Sequence, residues 1–164
     1  MFSIGERVVY GIHGVCQIID LEEKRVNAKA VAYYVLQPLD QPQSRFYVPK
    51  DNPAAVAKLN KLLTKQELDD LLHGELENVW IEDEGHRKQC YTKLISSGDR
   101  ASLISMLRCL YIHRAQQALA GKKLHLCDEN FMRDAKHIIE GEISLVLDIP
   151  IDQVGSFLAK IFEK

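Results

Sequence analysis

The hydrophobic period of this chain changes near residue 50, and that change divides what it can fold into. Ahead of Pro49, β-branched and aromatic residues dominate. Arg7 to Tyr10, Val15 to Leu21, Ala30 to Gln37 and Arg45 to Val48 read as strands. Gly11 and Gly14 bracket a tight connection where positive φ is expected, Asn27 marks a hairpin, and Asp40 to Gln43 mark the next turn. Four or five short strands with one modest apolar face curl into an SH3-like or Tudor-like small β-barrel more readily than they lie flat, because a small open sheet leaves exposed edges. A plain β-meander is the simpler alternative.

After Pro49 the apolar residues recur at helical spacing. Pro53 to Leu59 predicts a short helix, and Thr64 with Glu67 forms a capping box that opens a helix to about His73. An acidic stretch around Trp80 follows. From Glu84 to Ser96, the residues Cys90, Tyr91, Leu94 and Ile95 share one face; Ser97-Gly98-Asp99 then supplies a left-handed exit and a new N-cap. The next helix is expected from Arg100 to about Ala120, with Leu103, Met106, Leu107, Leu110 and Ala118 inward. Another runs from about Asp128 to Leu147, with Asp128 and Glu129 at its positive end, and a last one from Asp152 to about Phe162. Connections this short favour a compact helical bundle. The expected fold class is α+β: an N-terminal SH3/Tudor-like β-barrel over residues 1–50, then an all-α bundle over residues 51–164.

Composition excludes several classes. With 164 residues, 46% hydrophobic and 27% charged, the chain can bury a core and is not of disordered type. No apolar run approaches the roughly 20 residues that span a bilayer, and no basic leader precedes an apolar stretch, so a cytoplasmic, non-membrane protein is expected. Cys16, Cys90, Cys109 and Cys127 are far apart and lack metal-site spacing, which points to reduced thiols. The six histidines are scattered, with no His-Glu-x-x-His arrangement; Cys109 and His113 sit one helical turn apart, but Cys109 lies among apolar neighbours. The glycines near the N-terminus precede no helix that would receive a phosphate. No catalytic residue, metal ligand, cofactor or small-molecule substrate is therefore expected, and the chain reads as a non-enzyme. Net charge is −2, against bulk coating of nucleic acid, yet residues 83–126 form a basic block between two acidic ones.

The ordered set of motifs resembles a known family. Phe2, Gly5, Val8-Val9-Tyr10 and His13-Gly14-Val15, then Val48-Pro49, Ser97-Gly98-Asp99 and Gly141-Glu142, look like the CarD/CdnL family of bacterial transcription regulators. The same N-terminal module occurs in the transcription-repair coupling factor, a long ATPase; this chain has no Gly-x-x-x-x-Gly-Lys-Ser/Thr phosphate loop. The resemblance implies a Tudor-like domain that docks on the RNA polymerase β subunit, and helices that reach promoter DNA without reading sequence and so stabilise the open complex. It places Lys24, Arg25, Arg45, Tyr47 and Val48 on the polymerase face.

For DNA it implies an aromatic wedge near the helix ahead of the Ser-Gly-Asp corner. The single Trp of the chain, Trp80, lies earlier than the family position, which Glu84 occupies in an ungapped count. Glu82, Asp83 and Glu84 beside it would repel phosphate, so Trp80 reads equally as a wedge or as a cap at the domain junction. Arg87, Lys88, Lys93, Arg100 and Arg108 supply most of the basic block and are the candidate phosphate contacts. The rival reading is a protein-interaction adaptor that binds polymerase or another protein and leaves DNA alone.

Overall fold

The structure, a computed structural model, describes residues 1–75 and 80–163. The acidic stretch ahead of Trp80 therefore lies partly outside the described residues. One antiparallel sheet is built from β1 (Arg7–Tyr10), β2 (Val15–Val26), β3 (Lys29–Pro38), β4 (Phe46–Pro49) and β5 (Leu59–Lys61), in the order β4-β3-β2-β1-β5. The helices are α1 (Pro53–Val56), α2 (Lys65–His73), α3 (Glu84–Ser97), α4 (Arg100–Leu119), α5 (Leu126–Leu147) and α6 (Ile151–Phe162). The fold is α+β.

The expected closed barrel is not formed: among the described residues no ladder joins β4 to β5. The chain between those two edges turns through α1, capped by Asn52 Oδ1 on the Ala54 and Ala55 amides, and lays Ala55 and Val56 on the sheet core. A helical segment thus packs where a closing ladder would run. The helix predicted to reach Leu59 stops at Val56, and Leu59 enters the sheet as β5 opposite Tyr10. Leu59 is apolar and buried in either state, so periodicity over so few residues could not separate them.

Strand β2 also runs past Leu21. Its outer half, Glu22 to Val26, pairs with β3 residues Lys29 to Tyr33 as a two-stranded ribbon. The ribbon turns through Asn27 (φ 52°) and Ala28 (φ 65°), the paired positive φ values that match strand twist in a tight hairpin.

Two apolar clusters form. Val8, Cys16, Ile18, Tyr34, Leu36, Val48 and Leu59 make the sheet core, with Phe2 and Phe46 against it. The opposite side of β1 and β2 contributes Val9 and Val15 to the helical core, beside Leu107, Leu110, Ile138 and Ile139. Strand alternation explains the split, since successive side chains point to opposite faces. The sheet and the helices are joined through that second cluster.

The junction is tightest where the turn between β1 and β2 meets α5. Gly14 has φ 72° and ψ −147°, and a Cβ there would lie 3.2 Å from the His137 carbonyl oxygen. His137 Nε2 stands 3.3 Å from the His13 carbonyl and 3.5 Å from Asp40 Oδ2. The His13 ring stacks beside Phe46 at 4.1 Å, and its own burial, then His137, push its pKa down while Asp40 pulls it up.

In the helical part, Thr64 and Glu67 complete the predicted capping box: the Thr64 hydroxyl accepts from the Glu67 amide at 3.2 Å and the Glu67 carboxylate from the Thr64 amide at 2.8 Å. Gly98 (φ 67°) and Asp99, whose carboxylate accepts from the Ser102 amide, turn α3 into α4. Ala118, expected inward, is exposed, because the last turn of α4 extends past its neighbours and leaves Leu119 91% exposed. Among the described residues no helix is long and apolar enough to cross a membrane.

Candidate functional site

On the outer face of the sheet, register brings the polymerase-face candidates together. Val35 of β3 stands opposite Tyr47 of β4, and Val31 opposite Lys24 of β2. The Lys24 ammonium lies 3.7 Å from the centre of the Tyr47 ring, and Tyr33 meets the same ring edge-on at 6.3 Å. An exposed contact of this kind contributes about 0.5–1 kcal/mol, a few-fold bias toward this placement of the lysine. Tyr47 remains 42% exposed and Arg25 is exposed one residue from Lys24. Arg45 lies just ahead of the edge strand β4 and donates to the Pro42 and Ser44 carbonyls at 2.6 and 2.8 Å. Lys24, Tyr33 and Tyr47 thus form one cationic and aromatic patch.

Val48 does not belong to that patch. It is 1% exposed within the sheet core, since alternation turns it inward where Tyr47 turns outward. Tyr33, which the sequence reading missed, takes its place; its period-two relation to Val31 and Val35 was the available signal.

The helical candidates separate sharply. Arg87 is withdrawn from the surface: its Nε and Nη2 donate to Asp128 Oδ1 and Oδ2 at 2.9 and 2.8 Å, and Nη1 donates to the Ile81 carbonyl at 2.9 Å. The pair is buried, with side chains 4% and 1% exposed, and the bond to Asp128 outweighs burial and pushes the guanidinium pKa up. Arg87 belongs to the buried stripe of α3 with Tyr91 and Ile95, one and two turns on. An inward arginine there needs a carboxylate, and Asp128, in the first turn of α5 where it was expected, provides it.

Arg87 also fixes Trp80. Its guanidinium carbon lies 4.5 Å from the indole, which stacks on His113 of α4 at 3.7 Å with 12° between planes. Burial pushes His113 down, with Asp128 pulling it up, and its Nε2 lies 3.1 Å from Gln117 Nε2. Trp80 is therefore a half-buried brace between α3 and α4. Asp83, one of the carboxylates beside it, caps α3 through the His86 amide at 2.7 Å.

Arg100 is likewise turned inward. Its Nη2 donates to the Lys61 carbonyl and its Nε faces Glu142 Oε2 at 3.4 Å. Glu142 is 1% exposed and accepts from the Leu63 amide at 2.7 Å; burial raises its pKa, while that amide and Arg100 lower it. Arg108 is half-buried, and its Nε has no hydrogen-bond partner among the described residues. Lys88 and Lys93 stay exposed on α3. Arg114, Lys122, Lys123 and Arg133 are further exposed cations on α4, α5 and their connection, which the sequence reading did not single out.

Among the described residues no disulfide joins the four cysteines. Burial pushes Cys16 up to about 12 and raises Cys109 as well. Iodoacetamide at neutral pH is expected to modify the half-exposed Cys90 and Cys127 before Cys16 and Cys109, as peptide mass spectrometry would read. Early labelling of Cys16 would contradict the sheet core. Among the described residues no group of three His, Cys, Asp or Glu is placed to hold a metal ion.

The protein is thus an antiparallel sheet with an exposed aromatic and cationic face, joined to helices through a shared apolar cluster. Residues 2–60 match the family model of the CarD-like/TRCF RID domain. The domain marks an RNA polymerase-interacting protein. A search of curated proteins finds no match.

Proposed function

We propose that the chain is a cytoplasmic, non-enzymatic transcription regulator that docks on the RNA polymerase β subunit through the Lys24, Arg45 and Tyr47 face, Arg25 lying on the other side of the ribbon by strand alternation. Its Tudor-like sheet supplies this contact, and its helices touch promoter DNA without reading sequence and so lengthen the life of the open complex. The observation that carries the reading is the Lys24 ammonium held over Tyr47 beside Tyr33, on an exposed sheet face next to edge strand β4, inside the matched domain. Charged and aromatic side chains on an exposed sheet face anchor a partner by side-chain contact. On the DNA side, Lys88 and Lys93 are the members of the predicted set free to meet phosphate.

A second reading, an adaptor that leaves DNA alone, draws on the inward Arg87 and Arg100 and on exposed Glu82, Asp83 and Glu84 beside Trp80. Two variants of the full chain separate them. Lys24→Glu with Tyr47→Ala is expected to weaken polymerase binding by about thirty-fold or more, the effect of losing interface anchors. Lys88→Glu with Lys93→Glu is expected to leave that affinity intact and shorten open-complex lifetime, more strongly at low salt. Unchanged lifetime in the second variant favours the adaptor; unchanged affinity in the first removes the proposed docking face.

A further inference from the structure

We propose that Arg100 and Glu142 are positioning residues that clamp the segment leaving the sheet and thereby fix the angle between the docking face and the helices. The last strand, β5, ends at Lys61, and α2 begins at Lys65. At the end of β5 the Lys61 carbonyl is held by Arg100 at the start of α4, and two residues on the Leu63 amide is held by Glu142 from the C-terminal third of α5. The two side chains face each other at 3.4 Å, and their exposures are 10% and 1%. Two helices therefore grip one short stretch of backbone from both of its hydrogen-bonding sides.

Packing alone would not fix this angle. The apolar contacts of Val9 and Val15 with the helical core hold the two parts together, but dispersion and hydrophobic burial are non-directional. Hydrogen bonds to named peptide groups are directional and admit one register. A buried ion pair is a poor source of stability relative to apolar residues of similar volume, and its best-attested use is to specify one arrangement. Each ion makes one hydrogen bond to the connector, through Arg100 Nη2 and Glu142 Oε1, while Arg100 Nε and Glu142 Oε2 face each other as an ion pair at 3.4 Å with no hydrogen bond of their own among the described residues.

The consequence is a spacer of fixed geometry between two contacts. That consequence rests on the reading of polymerase and DNA as the two bodies held; the clamp itself does not. Arg100, a phosphate candidate on charge alone, acts through the connector.

The test uses the full chain with Cys90 and Cys127 replaced by serine and spin labels on Arg7→Cys of β1 and Gln116→Cys of α4, both exposed positions. Glu142→Leu and Arg100→Met are expected to broaden the interlabel distance distribution while thermal unfolding stays cooperative. Glu142→Leu is also expected to speed hydrogen exchange at the Leu63 amide by about tenfold or more. Glu142→Gln, which keeps an acceptor for that amide, is expected to retain most of its protection. Narrow, wild-type distributions in both disrupting variants would overturn the proposal. Should Glu142→Leu fail to fold, Arg100→Met, which leaves the Leu63 bond in place, decides alone. Broadened distances with unchanged open-complex lifetime would count against the proposed function and leave the clamp standing, whereas a shortened lifetime at unchanged polymerase affinity supports both.

Discussion

Asp128→Ala is expected to remove about 3–5 kcal/mol of stability, the penalty for leaving one partner of a buried ion pair uncompensated. The carboxylate receives both Nε and Nη2 of Arg87, and the same guanidinium holds the Ile81 carbonyl and packs over Trp80. Against a total of roughly 5–15 kcal/mol for a domain, such a loss takes a large share of what keeps the chain folded. Urea unfolding would measure it. Trp80, the single Trp, would report the local change directly, because release of its brace exposes the indole and shifts its emission to the red. Replacing both partners, Arg87→Met with Asp128→Leu, is expected to recover much of the loss, since no charge then remains buried. A loss below about 1 kcal/mol in the single variant would place the pair among solvated surface bridges.

Gly14→Ala is the second large effect. The backbone there, at φ 72° and ψ −147°, belongs to a region that side-chain-bearing residues occupy at a cost of about 1–3 kcal/mol. A Cβ would also stand 3.2 Å from the His137 carbonyl and 3.3 Å from its Nε2, so the β1–β2 turn and α5 would have to separate. Gly121→Ala is the control: its φ is also 72°, but nothing lies within 4 Å of the added carbon. A larger loss for Gly14→Ala than for Gly121→Ala in thermal denaturation is expected from the crowding at the junction together with the ψ of −147° at Gly14. Equal losses would mean that the turn and α5 are free to move apart.

The strands and the long helices were legible because their periods are carried by many residues each. The capping box at Thr64 and Glu67 and the corner at Gly98 and Asp99 were legible because each rests on short-range chemistry. Arg87 and Arg100 were misread for one reason. Net charge treats all cations alike, whereas the α3 stripe of Arg87, Tyr91 and Ile95 marks the first of them as inward. The same spacing places Asp128 with Met132 and Ala135, and Glu142 with Ile138, on the buried side of α5. Charged residues on an apolar stripe were thus visible in the sequence. Which carboxylate met which arginine was not, because Arg87 and Asp128 are 41 positions apart and the pairing follows from helix packing.

On the polymerase side, alternation alone would have traded Val48 for Tyr33, had the strand register been known. The unclosed sheet has a similar origin. Edge exposure argues for closure, but it does not reveal that Ala55 and Val56 will cover the gap.

The β2–β3 ribbon has a separate implication. The backbone of Lys24 to Val26 pairs with that of Lys29 to Val31 outside the ladders that β1 and β4 make, and only the Lys24 side chain reaches back to Tyr47 of β4. The ribbon's length is thus uncoupled from both interiors. Two residues inserted on each side of Asn27 and Ala28 would carry the tip outward by about 7 Å, at 3.3–3.4 Å per residue, and leave every packed side chain where it is. The fingertip is the one dimension of this molecule that can be retailored for a deeper or shallower partner without redesigning the hand.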